Sequence, residues 1–176
     1  GYEIFCAERD AVAIWDALSE AGLGHGMLPM GSAALDIIRI EAGLAGAHEF
    51  AAGTDAYEAG LGFAVDMKKD DFVGRSALER NALSPRKALV GLSFDCDDVP
   101  LAGAPVFSGE RQVGVVTSAT RSPMFECAIA MARVTVEQSD LGTQLEVGQL
   151  DGRMKRLTAQ VTQVPFFDPK RERARA

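Results

Sequence analysis

Cysteine is scarce in this chain and poorly spaced for chemistry. Cys6, Cys96 and Cys127 stand far apart, form no C-x-x-C pair and leave an odd count, so neither a zinc ribbon nor a disulfide framework organises the fold. They read as buried or unpaired thiols of a reducing compartment, and a cytoplasmic location is expected. Histidine is scarcer still. His25 sits among turn glycines with no ligand-type neighbour, and His48 is a lone loop histidine that reads as a solvated residue or a site-wall residue; no metal site is expected. No apolar run approaches the length of a membrane span, and no charged-then-apolar leader opens the chain. Basic runs are missing before the tail, and the formal charge is −7. That balance argues against a nucleic-acid surface. Internal repeats and low-complexity segments are absent.

Apolar residues, by contrast, are plentiful. At 47% of 176 residues they suffice for a sizeable core, in one large domain or two small ones. The stretch that organises the chain is Gly31-Ser-Ala-Ala-Leu-Asp-Ile-Ile-Arg-Ile-Glu-Ala-Gly43. Leu35 and Ile38 are three apart, as are Ile37 and Ile40, so a helix would bury both pairs. Asp36 and Arg39 share the same spacing and can pair on its surface. Gly43 stands where such a helix stops. Charges within an apolar helix are costly unless each finds a partner or a ligand. Two readings stay open: a structural ion pair, or Arg39 or Glu41 facing a cavity.

In chain order, Tyr2–Ala7 alternates as a strand would, with Glu3 beside Phe5 on one side. Gly1 is not an initiator Met, and so ordered a start leads us to expect sequence upstream. Ala11, Ile14, Trp15, Leu18 and Gly22 fall at helical spacing, predicting an amphipathic helix over about 9–21. Gly22-Leu-Gly24-His-Gly26 follows a helix, not a strand, and its third glycine comes too early for a dinucleotide loop, so it reads as cap and turn. Residues 45–57 read as loop, 61–66 as a strand, and 75–83 as a short helix with Ala77 and Leu78 inward. After a linker at 84–87 the texture changes. Short apolar segments at 88–94, 105–107, 113–117, 128–136, 144–147 and 157–164 alternate with turn signals, among them Ser108-Gly109 and Asp151-Gly152. They predict a small antiparallel barrel or sandwich of about six strands. The fold class is therefore α+β, with an α+β region at 1–84, an all-β domain at 88–168 and a basic tail at 169–176.

Several short segments recur in a telling order: Gly1-Tyr-Glu-Ile-Phe5, Ile38-Arg-Ile-Glu-Ala-Gly43, Glu58-Ala-Gly-Leu-Gly-Phe63, Asp71-Phe-Val-Gly-Arg75, Val99-Pro-Leu-Ala-Gly-Ala-Pro-Val106, Val113-Gly-Val-Val-Thr-Ser118 and Pro165-Phe-Phe-Asp-Pro169. Together they resemble the C-terminal half of the glycine-cleavage T-protein (aminomethyltransferase) family, over nearly the whole chain. That family includes the folate regions of sarcosine and dimethylglycine dehydrogenases and oxidases. The resemblance implies partial tetrahydrofolate-binding domains followed by a C-terminal antiparallel β-barrel. It also implies that the family's catalytic aspartate lies upstream, so no catalytic residue is assigned here.

By the same resemblance Glu3 matches the glutamate that accepts hydrogen bonds from the pterin edge, as a carboxylate can take two parallel N–H bonds. Arg39 matches an arginine at the folate, where a guanidinium suits a ring carbonyl or a carboxylate. Tyr2 would wall the ring. Arg121, in a loop resembling one that borders the site, is a ligand contact or a surface charge. Glu41 is expected to partner a helix or backbone group. Lys170 or Arg171 would stand for the family's C-terminal basic residue. Ala47 stands where many T-proteins carry a tyrosine, so one aromatic wall is lost.

The implied function is the C-terminal part of a tetrahydrofolate-dependent aminomethyltransferase acting with a small one-carbon donor. The alternatives are the folate region of a flavin-linked sarcosine or dimethylglycine dehydrogenase, or a non-catalytic folate-binding domain. A lipoyl carrier protein or a flavin domain would be the partner, with no nucleic acid and no membrane. Glu3 and Arg39 are expected to converge on one hollow.

Overall fold

The structure, a computed structural model, describes residues 2–50, 53–150, 152, 155–170 and 172. Asp151 of the second expected hairpin turn and Arg171 of the tail lie outside the described residues. By compactness the chain divides into two units, Gly1–Leu35 and Asp36–Ala176.

The first unit is built around helix α1, Ala11–Leu23, preceded by the 3-10 turn Glu8–Asp10. The helix forms where its spacing places it, but its apolar stripe is left bare. Trp15 is 58% exposed, Val12 and Leu18 are exposed as well, and only Gly22 is buried. The strand expected at Tyr2–Ala7 is not formed. Alternation alone does not make a strand: its N–H and C=O groups need a neighbour to pair with, and among the described residues none pairs with this segment. Tyr2 and Phe5 accordingly stand in solvent.

Helix α2, Ser32–Glu41, begins in the first unit and ends in the second. Its apolar pairs are not both buried: Ile40 is fully enclosed, while Leu35 and Ile38 are about half exposed. It stops as its glycine demands. Gly43 takes φ +62°, Leu44 N–H donates to Arg39 O at 2.8 Å, and Gly43 N–H donates to Ile40 O at 2.9 Å. This is the paired closure in which a left-handed residue lets two orphan carbonyls find donors.

The segment expected as a strand at 61–66 is a 3-10 turn, Gly62–Ala64. Gly60 takes φ +73° just before it, Leu61 N–H reaches back to Ala56 O at 2.7 Å, and Phe63 is 78% exposed. Helix α3 spans Arg75–Leu83 as expected, with Leu78 half-buried but Ala77 exposed.

The rest of the second unit is a closed antiparallel barrel of six strands: β1 Lys87–Phe94, β2 Pro105–Ser108, β3 Arg111–Ser122, β4 Cys127–Thr135, β5 Gln144–Gly148 and β6 Arg156–Thr162. Around the barrel the order is β1-β4-β3-β2-β5-β6, closing on β1. The interior holds Val90, Leu92, Phe94, Val106, Val116, Leu145, Val147 and Val161, with Ala128, Ala130 and Ala132 on β4. Small residues on one strand and large ones on the others suit a narrow six-stranded interior. Strand β4 is buried on both faces: its outer side carries Ile129 and Met131, which pack with Ile40 and, less deeply, with Leu89, Val164 and Phe166. Enclosing a side chain the size of Ile40 stabilises by roughly 1.5–3 kcal/mol. That contact seats the last turn of α2 on the barrel wall.

Candidate functional site

Two polar residues of the last turn of α2, Arg39 and Glu41, face the barrel with Ile40 between them. Each is satisfied from β3. Arg39 is held at three nitrogens. Nε donates to Asp36 Oδ1 at 2.7 Å, Nη1 to Glu49 Oε2 at 2.9 Å, and Nη2 to Ser118 Oγ at 2.8 Å. The Ser118 hydroxyl donates in turn to Glu49 Oε1 at 2.6 Å, and Gly46 N–H donates to Glu49 Oε2 at 2.7 Å. The Glu49 side chain is fully buried, and that of Arg39 is 16% exposed. Burial pushes the Glu49 carboxyl up, but the hydrogen bonds from Ser118 and Gly46, the nearby Thr117 hydroxyl and the Arg39 charge outweigh it, leaving the group below the usual glutamate value. Glu49 is therefore a carboxylate at neutral pH. Gly46 is open enough for this geometry only because it lacks a side chain: a Cβ there would stand 3.1 Å from Arg39 Cζ and Nη1.

Ser118 reaches Arg39 through a β-bulge. Val116 faces Ala132, but the next pair is Ser118 with Met131, so Thr117 is the extra residue. Strict alternation from the inward Val116 would have turned Ser118 into the barrel. The bulge turns it outward instead, opposite Met131 and towards α2. Thr117 spends its own hydroxyl on Met131 O at 3.0 Å.

Glu41 makes a second tie. Ser122 Oγ donates to its carboxylate, Met124 N–H reaches the same oxygen at 3.4 Å, and Phe167 N–H donates to Glu41 O at 2.9 Å. The expected backbone partner for Glu41 is present only as the Met124 N–H at 3.4 Å; the main partner of its carboxylate is the Ser122 hydroxyl.

Of the residues singled out in the sequence, Tyr2 and Glu3 lie in the first unit, exposed. Among the described residues Glu3 accepts no hydrogen bond. Arg39 and Arg121 lie in the second unit and share no hydrogen-bond partner. Arg121 Nε donates to Asp97 Oδ1 at 3.0 Å, with both side chains more than half exposed. Such a pair contributes little to stability. Lys170 and both histidines are exposed. Burial raises the Cys127 thiol above its ordinary value, with Arg121 opposing the shift, which lowers its thiolate fraction. The sequence reading missed Glu49 and Ser118. Glu49, ten residues after Arg39, carried a weak signal as one of two carboxylates, with Asp55, in the loop at 45–57; Ser118 carried none, because its direction depends on the bulge.

Fold and site together define a six-stranded barrel protein with a helix anchored on its wall through a buried arginine–glutamate–serine network. Residues 1–69 match the family model described as the GCVT N-terminal domain, and residues 87–168 match the glycine cleavage T-protein C-terminal barrel domain. The chain belongs to the glycine cleavage T-protein family. It is 39% identical over 170 residues to an aminomethyltransferase of Bacillus pumilus, covering 95% of this chain and 46% of that protein. It is 47% identical over 179 residues to a trimethylamine-oxide aldolase of Ruegeria pomeroyi, covering 100% of this chain and 23% of that protein. The crystal structure of the glycine cleavage system aminomethyltransferase T from Bartonella henselae superposes with a TM-score of 0.77 at 31% identity, over 88% of this chain and 44% of that one. The chain thus spans about half the length of the aminomethyltransferases it matches, and about a quarter of the aldolase.

Proposed function

We propose that this chain is the C-terminal portion of a tetrahydrofolate-dependent, aminomethyltransferase-type protein, and that its share of the work is to hold the pteridine ring. The reading is carried by relatedness to proteins named aminomethyltransferase along 95% of the chain. The donor set fits the ring. Glu3 accepts no hydrogen bond among the described residues and is able to accept from a pterin amino edge, and Tyr2 is a bare aromatic beside it. Among the described residues three of the five N–H groups of Arg39 are committed. Tetrahydrofolate, when bound, supplies the nucleophilic nitrogens that take up the one-carbon unit. Glu3 and Arg39 orient the ring towards the donor, Tyr2 covers it, and Arg121 borders the site. No residue of this chain is assigned a proton-transfer role. The donor is a small aminomethyl-type compound, presented on a lipoyl carrier protein, and the setting is the cytoplasm.

A second reading has its own support. The 47% identity to the trimethylamine-oxide aldolase runs the whole length of this chain yet covers only 23% of that protein. It favours a folate-binding module in a larger amine-cleaving polypeptide, as in the flavin-linked dehydrogenases.

Calorimetric titration of the full-length protein with tetrahydrofolate tests the first step. Replacing Glu3 by Ala should weaken binding at least about tenfold, since it removes charge-assisted bonds. Unchanged binding by that variant would remove Glu3 from the ring site. Methylenetetrahydrofolate formation from an aminomethyl-lipoyl carrier, against formation from trimethylamine oxide, separates the two readings.

A further inference from the structure

On the outer face of the barrel, strands β1, β3 and β4 line a cavity of about 280 Å³ that lies apart from the Arg39 network. Its wall holds two cations, Lys87 and Arg133, and two neutral polar side chains, Gln112 and Thr135. We propose that this cavity is a site for a phosphate monoester group, held by Lys87 and Arg133 and completed by the Thr135 hydroxyl and the Gln112 amide. It stands independently of the folate reading.

Alternation along the strands brings the two cations together. Ala88 and Val90 of β1, and Ala132 and Val134 of β4, face the interior, so Lys87, Arg133 and Thr135 face out. Lys87 pairs with Thr135 and Leu89 with Arg133, which makes Lys87 and Arg133 diagonal neighbours about 7–8 Å apart across the ladder. Two long side chains at that spacing can reach one oxyanion, whose charge offsets their mutual repulsion. Neither cation has a carboxylate partner among the described residues. Arg133 is half-buried, and its hydrogen bond there is a neutral one, from Nη1 to the Thr54 hydroxyl. Arg39, Arg75, Arg121, Lys155 and Arg156, by contrast, each pair with an Asp or Glu. A partly buried charge is costly to keep without a counter-charge. No Asp or Glu lines the cavity, although the chain has 25 of them and a formal charge of −7, so nothing in the wall repels an anion.

The arrangement of donors selects the kind of anion. They come from three strands, Lys87 from β1, Gln112 from β3, and Arg133 and Thr135 from β4, and so surround the cavity instead of lying in one plane. A tetrahedral phosphate has oxygens in each of those directions, whereas a carboxylate offers two in a single plane. The forked guanidinium and the point charge of an ammonium are both common phosphate partners. Gln112 spends one amide hydrogen on Gly114 O at 3.3 Å and keeps the other. The volume sets the size of the ligand. It equals about nine waters at ~30 Å³ each, room for a phosphate with a short organic substituent.

The test titrates the full-length protein by calorimetry with glycerol 3-phosphate, inorganic phosphate and succinate. Glycerol 3-phosphate should bind and inorganic phosphate should displace it. Succinate, a dicarboxylate, should bind at least about tenfold more weakly. Lys87→Gln and Arg133→Gln should each weaken glycerol 3-phosphate at least about tenfold, the loss of a charge-assisted bond. Arg80→Gln, which removes an exposed charge on α3 outside the cavity, should leave binding unchanged. Lys87 is exposed, so Lys87→Gln decides the matter should Arg133→Gln fail to fold. Sedimentation with phosphatidylcholine vesicles, with and without phosphatidic acid, separates a lipid headgroup from a free monoester. Capture by the phosphatidic acid vesicles alone, lost in Lys87→Gln, would keep the site and assign its phosphate to a lipid. The proposal is overturned if the native protein binds none of the phosphate probes, if succinate binds as tightly as glycerol 3-phosphate, or if folded Lys87→Gln binds the phosphate probes normally.

Discussion

Glu49 shows how one buried carboxylate ties loop, helix and sheet. It accepts from the backbone of Gly46, from the side chain of Arg39 on α2 and from Ser118 on β3. Glu49→Gln removes the charge that Arg39 leans on and leaves a guanidinium only 16% exposed without its main partner. Breaking such a pair one-sidedly destabilises by about 3 kcal/mol, the low end of the range for buried pairs because Arg39 keeps some contact with water. Urea unfolding at pH 7 measures it. The pH dependence has a definite sign. The folded-state value of Glu49 lies below its unfolded one, so its contribution is full above the unfolded value of about 4.3 and fades as pH falls through the folded value. The gap between native and Glu49→Gln stabilities should therefore narrow on acidification below about pH 4.3. A gap that stayed constant down to pH 3 would show that Glu49 is not titrating as argued.

At the scale of elements, the turn that ends α2 is the critical joint. Gly43 takes φ +62°, and a Cβ there would lie 2.3 Å from Val164 Cγ1 and 3.0 Å from the Pro165 Cα. The second is backbone and cannot swing aside. Gly43→Ala combines a left-handed strain of about 1–2 kcal/mol with that overlap, and a loss of about 3 kcal/mol in all is expected. Thermal melting monitored by circular dichroism checks it; a variant as stable as the native chain would mean that α2 does not depend on this closure to reach the barrel. The helix itself was legible from its Asp36–Arg39 spacing and terminal glycine. Its partner was not, because Ile40 meets Ile129 and Met131, nearly ninety positions away, and the periodicity of a segment names its buried face without naming what covers it. The strands expected at 2–7 and 61–66 failed for a related reason: alternation was present, but the first lacks a pairing neighbour among the described residues and the second is turned at Gly60, φ +73°, into a 3-10 turn.

For the molecule as a whole, the barrel should be the most resistant part. Strand β4 is shielded on both faces and paired along its length with β1 and β3, whereas residues 2–7 are exposed and make no strand pairing among the described residues. Native-state hydrogen exchange should find the amides of β1, β3 and β4 exchanging only through the largest opening, and those of 2–7 exchanging within the earliest time points. Comparable protection in the two regions would contradict this ranking.

The sequence by itself determined the α+β class, the six-stranded barrel with its strands placed within a few residues, helices α1, α2 and α3, the Asp36–Arg39 pair and the family. These follow from local periodicity, turn residues and short motifs, all of which act over a few positions. Only the tertiary structure decided what Arg39 is bonded to. Glu49 becomes a buried carboxylate when the loop after α2 folds beneath the guanidinium, and Ser118 faces that guanidinium when a single extra residue, Thr117, shifts the register of β3. A one-residue bulge reverses the face of every side chain beyond it, and nothing in the order of residues around Thr117 marks it, so the partners of the central arginine could be known only once the strands were paired.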